Sequence, residues 1–149
     1  MLANGLMTST AMPSIAILDT GPLYAAVDAN DADHRRCRAV LERTDLQFVI
    51  PTLILAEVSY FIGKRLTARE EAAFFRGVSR FEIEAPNPDE WLRIAELVEQ
   101  YADFLLGGTD ASVIALAERL DTDVVITLDH RHFGAVRPRH VHSLRLLPV

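Results

Sequence analysis

Two short apolar runs, 14–18 (Ser-Ile-Ala-Ile-Leu) and 124–128 (Val-Val-Ile-Thr-Leu), each stop on an aspartate, Asp19 and Asp129. Runs of this length, rich in branched side chains and bounded by turn residues, read as buried strands. Both acids therefore fall at the carboxyl end of a strand. Between the two runs the apolar residues mostly recur with helical spacing. Strands that alternate with helices give a mainly parallel sheet covered on both faces, with ligands beyond the carboxyl ends of the strands. The expected fold class is α/β, a three-layer α/β/α domain with a mainly parallel central sheet.

Along the chain, residues 1–13 form a polar lead with no periodicity and two further methionines, Met7 and Met12. This lead is expected to be disordered or to contain an alternative start. Residues 14–149 are expected to form one domain, because 149 residues of which half are apolar suffice for one core and not for two. After the first strand, Pro22 sits where a short helix can open without needing its N–H. Residues 31–43 are amphipathic, 47–50 read as a second strand, and Pro51 opens an apolar helix. Thr67 and Glu70 have capping-box spacing for another helix. Residues 80–85 alternate Phe81, Ile83 and Ala85 with charged residues, the period of a half-exposed strand. In 88–102, Trp91, Ala95, Val98 and Tyr101 fall on one helical stripe. A turn is expected at 130–133 and a last strand near 141–146.

Two further acids stand out. Glu57 lies inside the apolar segment 53–62, where an ionised side chain is costly unless something compensates it. Asp110 is expected to open a helix over 111–120, after the Gly107-Gly108 break. Each acid has an ordinary alternative: Glu57 on an exposed helix face, Asp110 as a first-turn acid favoured by the helix dipole, Asp129 as a turn former. Taken together, Asp19, Glu57, Asp110 and Asp129 describe a pocket of hard oxygen ligands, stable as anions around divalent cations. The chemistry this suits is metal-dependent cleavage of a phosphodiester.

Charge and composition narrow the alternatives. A net charge of −6 is unusual for a nucleic-acid enzyme, but four acids would be neutralised by metal, and the C-terminal part is basic. From His130 onward the chain carries Arg131, Arg137, Arg139, Arg145, four of five histidines and no acid. That tail is either a solvated edge or a surface facing nucleic acid. The pairs His130/His132 and His140/His142 have spacing compatible with metal on extended chain, yet no cysteine partners them for zinc. The single cysteine, Cys37, has no identifiable base beside it. There is no nucleophile elbow, no phosphate-binding P-loop and no dinucleotide fingerprint. An aspartyl-phosphate mechanism would need an acid at position 21, which is Gly21. No apolar stretch approaches membrane-spanning length, so a cytoplasmic protein without a membrane partner is expected.

These segments resemble the PIN-domain nucleases and, within them, the VapC-type toxins of type II toxin-antitoxin modules. Leu18-Asp19-Thr20-Gly21 is similar to the family's opening strand and first acid, and Leu55-Ala56-Glu57-Val58 to the helix bearing the second. Gly108-Thr109-Asp110-Ala111-Ser112 resembles the third acid's segment, and Thr127-Leu128-Asp129-His130-Arg131-His132-Phe133 the fourth's. The resemblance covers residues 15–147. Gly21-Pro22 departs from it, since many relatives carry serine there, which leaves Thr20 as the nearest hydroxyl. Asp103 is similar to an acid of some relatives and receives no ligand role.

The resemblance implies a toxin acting as a Mg²⁺- or Mn²⁺-dependent endoribonuclease. Asp19 and Asp110 would hold metal, Glu57 and Asp129 would complete a second site or orient waters, and Thr20 or Thr127 would hydrogen-bond water or position a carboxylate. It also implies an RNA substrate, a VapB-type antitoxin and a homodimer. The helical hairpin with Tyr60, Phe61, Phe74 and Phe75 would contribute to the dimer and the antitoxin groove. The alternatives are a metal-dependent deoxyribonuclease of the same fold and a non-catalytic RNA- or protein-binding module.

Overall fold

The computed structural model describes residues 11–149; the lead at 1–10 lies outside the described residues, and 11–13 are exposed and without regular structure. Five strands, β1 (Ser14–Leu18), β2 (Leu46–Pro51), β3 (Glu82–Glu84), β4 (Val124–Ile126) and β5 (Arg145–Leu147), form one sheet in the order β3-β2-β1-β4-β5. Every neighbouring pair is parallel. The central strand, β1, places Ala16, Ile17 and Leu18 at zero exposure, which is why it reads as a near-continuous apolar run.

Helices α1 (Thr20–Val27), α2 (His34–Leu41), α3 (Thr52–Arg65), α4 (Ala68–Val78), α5 (Pro88–Gln100), α6 (Gly108–Arg119) and α7 (His130–Ala135) flank this sheet. Residues Ala111 through Ala117 of α6 are all buried, and the helix packs on β1, β2 and β4 beneath α5. Pro51 ends β2 and is the N-cap of α3, so the chain turns directly from sheet to helix. Thr67 forms the capping box expected with Glu70, each side chain meeting the other's backbone N–H. Thr67→Ala is expected to cost about 1 kcal/mol, seen as a lower denaturant midpoint with an unchanged slope and an unaltered acidic pocket.

Several expectations are corrected by the packing. Helix α5 buries Ile94, Leu97 and, just beyond its end, Tyr101, but together with Glu90 and Arg93; Trp91 is half exposed and Ala95 is exposed. The cause is polar: Arg93 makes two hydrogen bonds to Glu118 of α6, at 2.8 and 2.9 Å, and Glu90 pairs with Arg119. Hydropathy cannot place such an interface, because charged residues occupy positions a pattern assigns to apolar ones. Strand β3 is a short edge strand in which Ile83 is exposed, while Glu84 is half buried against Arg119. Helix α2 begins at His34, after Asp31 caps the Asp33 amide in a turn. Helix α6 begins at Gly108, making Asp110 a first-turn residue.

Residues 130–133 belong to α7 and not to a turn, because the Asp129 carboxylate caps the His132 amide at 3.0 Å. His130 and His132 therefore sit on helix, not on extended chain. The last strand is β5, somewhat later than 141–146. The basic tail is partly used internally: Arg139 pairs with Glu96, Arg145 with Asp123, and His140 meets the Thr122 carbonyl. Cys37 is fully buried, and burial pushes its thiol up to about 11, which removes it as a nucleophile. Among the described residues no helix is long and apolar enough to cross a membrane.

Candidate active site

Strand β1 ends in register with β4, Leu18 opposite Ile126, and the Asp19 amide continues the ladder to the Ile126 carbonyl at 2.9 Å. The acid after β1 and the residues after β4 thus leave the sheet side by side. Thr127 is fully buried between them. Its hydroxyl donates to Asp19 Oδ2 at 2.7 Å and accepts from the Asp129 amide at 3.0 Å. One hydroxyl ties both strand ends to a fixed separation.

Asp19, Glu57, Asp110 and Asp129 line one cavity of about 430 Å³, with Thr20 beside them and Gly21, Phe61 and Leu128 completing its wall. Four structural elements converge there: β1 supplies Asp19, the middle of α3 Glu57, the first turn of α6 Asp110, and the start of α7 Asp129. Asp103, in the 3-10 turn Ala102–Phe104, is not part of the lining.

The electrostatics follow from this convergence. Asp19 is only 6 % exposed, and burial, reinforced by the charges of Asp110 and Glu57, raises its carboxyl to about 6 although the Thr127 and Thr20 hydrogen bonds act against the rise. Burial likewise raises Asp110, with Asp129 and Glu57 adding to it. For Asp129 burial acts upward too, but the amide and ring of His132 outweigh it and hold the carboxyl below its ordinary range. His132 Nδ1 lies 2.5 Å from Asp129 Oδ2 and is itself raised by that contact. The sequence offers His132 through its spacing to His130 and within the segment of the fourth acid; the signal for its contact with Asp129 is its place three residues after a helix-capping acid.

The cavity lining contains no lysine, arginine or histidine; His132, bonded to Asp129 from outside the lining, offsets that acid and in part Asp110, and no basic side chain of the lining offsets Asp19 or Glu57. The Thr20 hydroxyl is buried and has no hydrogen-bond partner. A buried orphan hydroxyl among oxygen ligands fits a hydrated hard cation, which accepts carboxylate, hydroxyl and water oxygens. Among the described residues no three His, Cys, Asp or Glu side chains close into a compact ligand cage. Mg²⁺ does not require one, since it keeps several waters and uses one or two carboxylates directly.

A second, larger groove of about 630 Å³ runs between α1, α2 and α4, floored by Leu23, Val27, Leu41, Phe74, Val78 and Phe81. Arg38, Glu42, Glu70 and Arg80 stand along it. Of the four hairpin aromatics, Phe74 is buried and Phe61 half buried, whereas Tyr60 and Phe75 are exposed.

Comparison with known proteins agrees with this architecture. The PIN domain family model matches residues 16–137. Ribonuclease VapC26 of Mycobacterium tuberculosis is 32 % identical over 124 residues, which span 82 % of this chain and 92 % of that protein. Among solved structures, the sarcin-ricin loop cleaving toxin VapC20 of M. tuberculosis superposes with a TM-score of 0.71 at 17 % identity, over 85 % of this chain and 98 % of that one. VapBC2 of Rickettsia felis, solved with a DNA fragment from its promoter, gives 0.65 at 17 % identity, over 90 % and 99 %. A toxin-antitoxin complex from Klebsiella pneumoniae gives 0.62 at 22 % identity, over 85 % and 99 %. The likeness to the solved structures speaks for the fold, and the sequence match for the family: the chain belongs to the PIN-domain family and, within it, to the VapC ribonucleases.

Proposed function

We propose that this protein hydrolyses RNA phosphodiesters in the Asp19–Asp129 pocket with Mg²⁺, for which Mn²⁺ can substitute. The observation that supports this most is four carboxylates lining one cavity, Asp19 buried and the other three partly exposed, with Asp19 joined through Thr127 to the backbone of Asp129 and no basic side chain in the lining. A bound divalent cation would neutralise charge on the attacked phosphate and make a water acidic enough to attack. Asp19 and Asp110, the two acids whose protons are held up by burial, are the residues that would bind it. Glu57 and Asp129 would accept hydrogen bonds from its hydrating waters, and the Thr20 hydroxyl, which has no other partner, would orient one. His132 keeps Asp129 in one orientation by engaging both of its oxygens.

We further propose that it acts as the toxin of a toxin-antitoxin module, which adds two partners. An antitoxin segment with apolar side chains would lie in the groove between α1, α2 and α4 and meet its flanking charges. A second copy of the chain would cover the exposed Phe75 of the α3–α4 hairpin and leave the Tyr60 face of α3 open.

The test is incubation of the purified protein with total RNA in Mg²⁺, Mn²⁺ or EDTA, beside Asp110→Asn. Discrete fragments that require metal and vanish in the variant are expected. Intact RNA with metal-dependent cutting of DNA would make it a deoxyribonuclease, and RNA binding without cutting of either would make it a binding module.

A further inference from the structure

One wall of the acidic pocket continues into a cluster of aromatic rings and cations. Glu57, Phe61 and Arg65 follow one another at four-residue spacing, so they share a face of α3. Phe61 lines the pocket, and Arg65 lies one turn further out. Its guanidinium carbon is 4.7 Å from the Phe61 ring centre and 5.3 Å from that of Tyr24. Those rings meet edge to face, 6.2 Å apart, and the Tyr24 hydroxyl is tied to Asp28 at 2.8 Å. The guanidinium therefore rests on a fixed two-ring seat.

Lys64 extends the cluster. Its ammonium lies 5.6 Å from the centre of the Tyr60 ring and 3.4 Å from the Tyr60 hydroxyl, and Tyr60 stacks edge to face on Phe61. Both cations are exposed, and among the described residues neither is in an ion pair with an acid. Arg35 on α2 is also exposed and outside those ion pairs, but no such seat holds it.

A pocket walled by four carboxylates repels the phosphates on either side of the bond it would cut. The strand must be held by cations beside the acids and not among them. Resting on rings, a guanidinium keeps its planar donors presented and loses little freedom when a phosphate arrives. We propose that Arg65, assisted by Lys64, is the phosphate-binding arm of the substrate track, gripping the single-stranded RNA backbone to one side of the scissile bond. From Glu57 to Arg65 the helix rises about 12 Å, so the arm reaches phosphates a short run of nucleotides away. Arg65 is thus a positioning residue that determines affinity and leaves the chemical step alone.

This inference rests on the ribonuclease proposal, and its test separates the two. In an Asp110→Asn background with Mg²⁺, binding of a short random-sequence single-stranded RNA is followed by fluorescence anisotropy across a salt series. Arg65→Ala is expected to weaken binding about tenfold at low salt and to reduce the salt slope by about 0.7 for each phosphate contact removed. Lys64→Ala shows a smaller change in the same direction, and Arg35→Ala leaves affinity and slope as they were. With position 110 restored, Arg65→Ala raises KM on total RNA and leaves kcat in place. Arg65→Gln, which keeps most of the stem on the rings, should lose binding likewise at unchanged melting temperature. Wild-type affinity and slope in both Arg65 variants would overturn the arm and leave the nuclease standing. A protein of native sequence that neither binds nor cuts RNA would overturn both.

Discussion

Asp19→Asn is expected to abolish RNA cleavage and, at the same time, to make the metal-free protein more stable at neutral pH. The two effects share one cause. In the fold the Asp19 carboxyl titrates near 6 instead of 3.8, so the folded state holds its proton more tightly than the unfolded chain does. Stability from this group is complete below about pH 4 and is lost as pH rises through about 6. Above that, keeping Asp19 ionised costs about 3 kcal/mol. Asparagine is isosteric, neutral and still able to accept the Thr127 hydroxyl, so it removes the cost and keeps the hydrogen bond. A rise in melting temperature of roughly 6–12 °C at pH 7.5 is expected for a chain of this size, shrinking towards zero near pH 4. Cleavage should fall by about 10³-fold or more, because a neutral amide offers the cation no charge. Calorimetry in EDTA at the two pH values and a cleavage assay in Mg²⁺ check both halves. An Asn variant no more stable than the parent would mean that Asp19 is better solvated, or better compensated, than the buried geometry implies.

The same balance explains why such a pocket would take up metal. A cation that binds the folded state alone stabilises it by an amount that grows with the logarithm of its concentration above Kd, and one bound here would also relieve the repulsion among Asp19, Glu57 and Asp110. Instability of the empty site and affinity for a divalent ion would be two views of one arrangement. The site is assembled by the sheet and not by local sequence: Asp19 and Asp129 are 110 positions apart, yet they leave adjacent strands.

The sequence carried those strand-end acids plainly, because β1 and β4 are interior strands and their apolar runs stop where the sheet stops. Glu57 and Asp110 were legible as anomalies, an acid within an apolar helix and an acid behind a glycine pair. Two features were hidden for physical reasons. The face of α5 is set by Arg93 and Glu90 pairing with α6 across 25 or more positions, a fact that no local hydropathy pattern encodes. The role of His132 depends on α7 existing at all, and a six-residue helix started by its own capping acid resembles a turn until the cap is seen. Thr127 was open from the resemblance to positioning a carboxylate or binding water; the register of β1 against β4 shows that its hydroxyl joins the Asp19 carboxylate to the Asp129 amide.

Thr127→Val tests that junction. Valine has nearly the same shape, so packing is kept while Asp19 loses a donor and the Asp129 amide loses its acceptor. Leaving buried polar groups unpaired costs about 1–3 kcal/mol, a loss that should show as a lower denaturant midpoint at pH 7.5. Activity is expected to drop by about 10–100-fold, the usual consequence of removing a group that orients a metal-binding carboxylate. The sharper reading is the pH profile. The Thr127 hydrogen bond pulls the Asp19 carboxyl down against the effect of burial, so without it the carboxyl titrates higher still. The acid limb of the cleavage profile should then move to higher pH in Thr127→Val, and part of the lost activity should return as pH is raised. Thr127→Ser, which keeps the hydroxyl, should hold the limb where the parent has it. A uniform loss at every pH, with serine no better than valine, would show that Thr127 contributes packing alone and that Asp19 is oriented by its backbone and the cation.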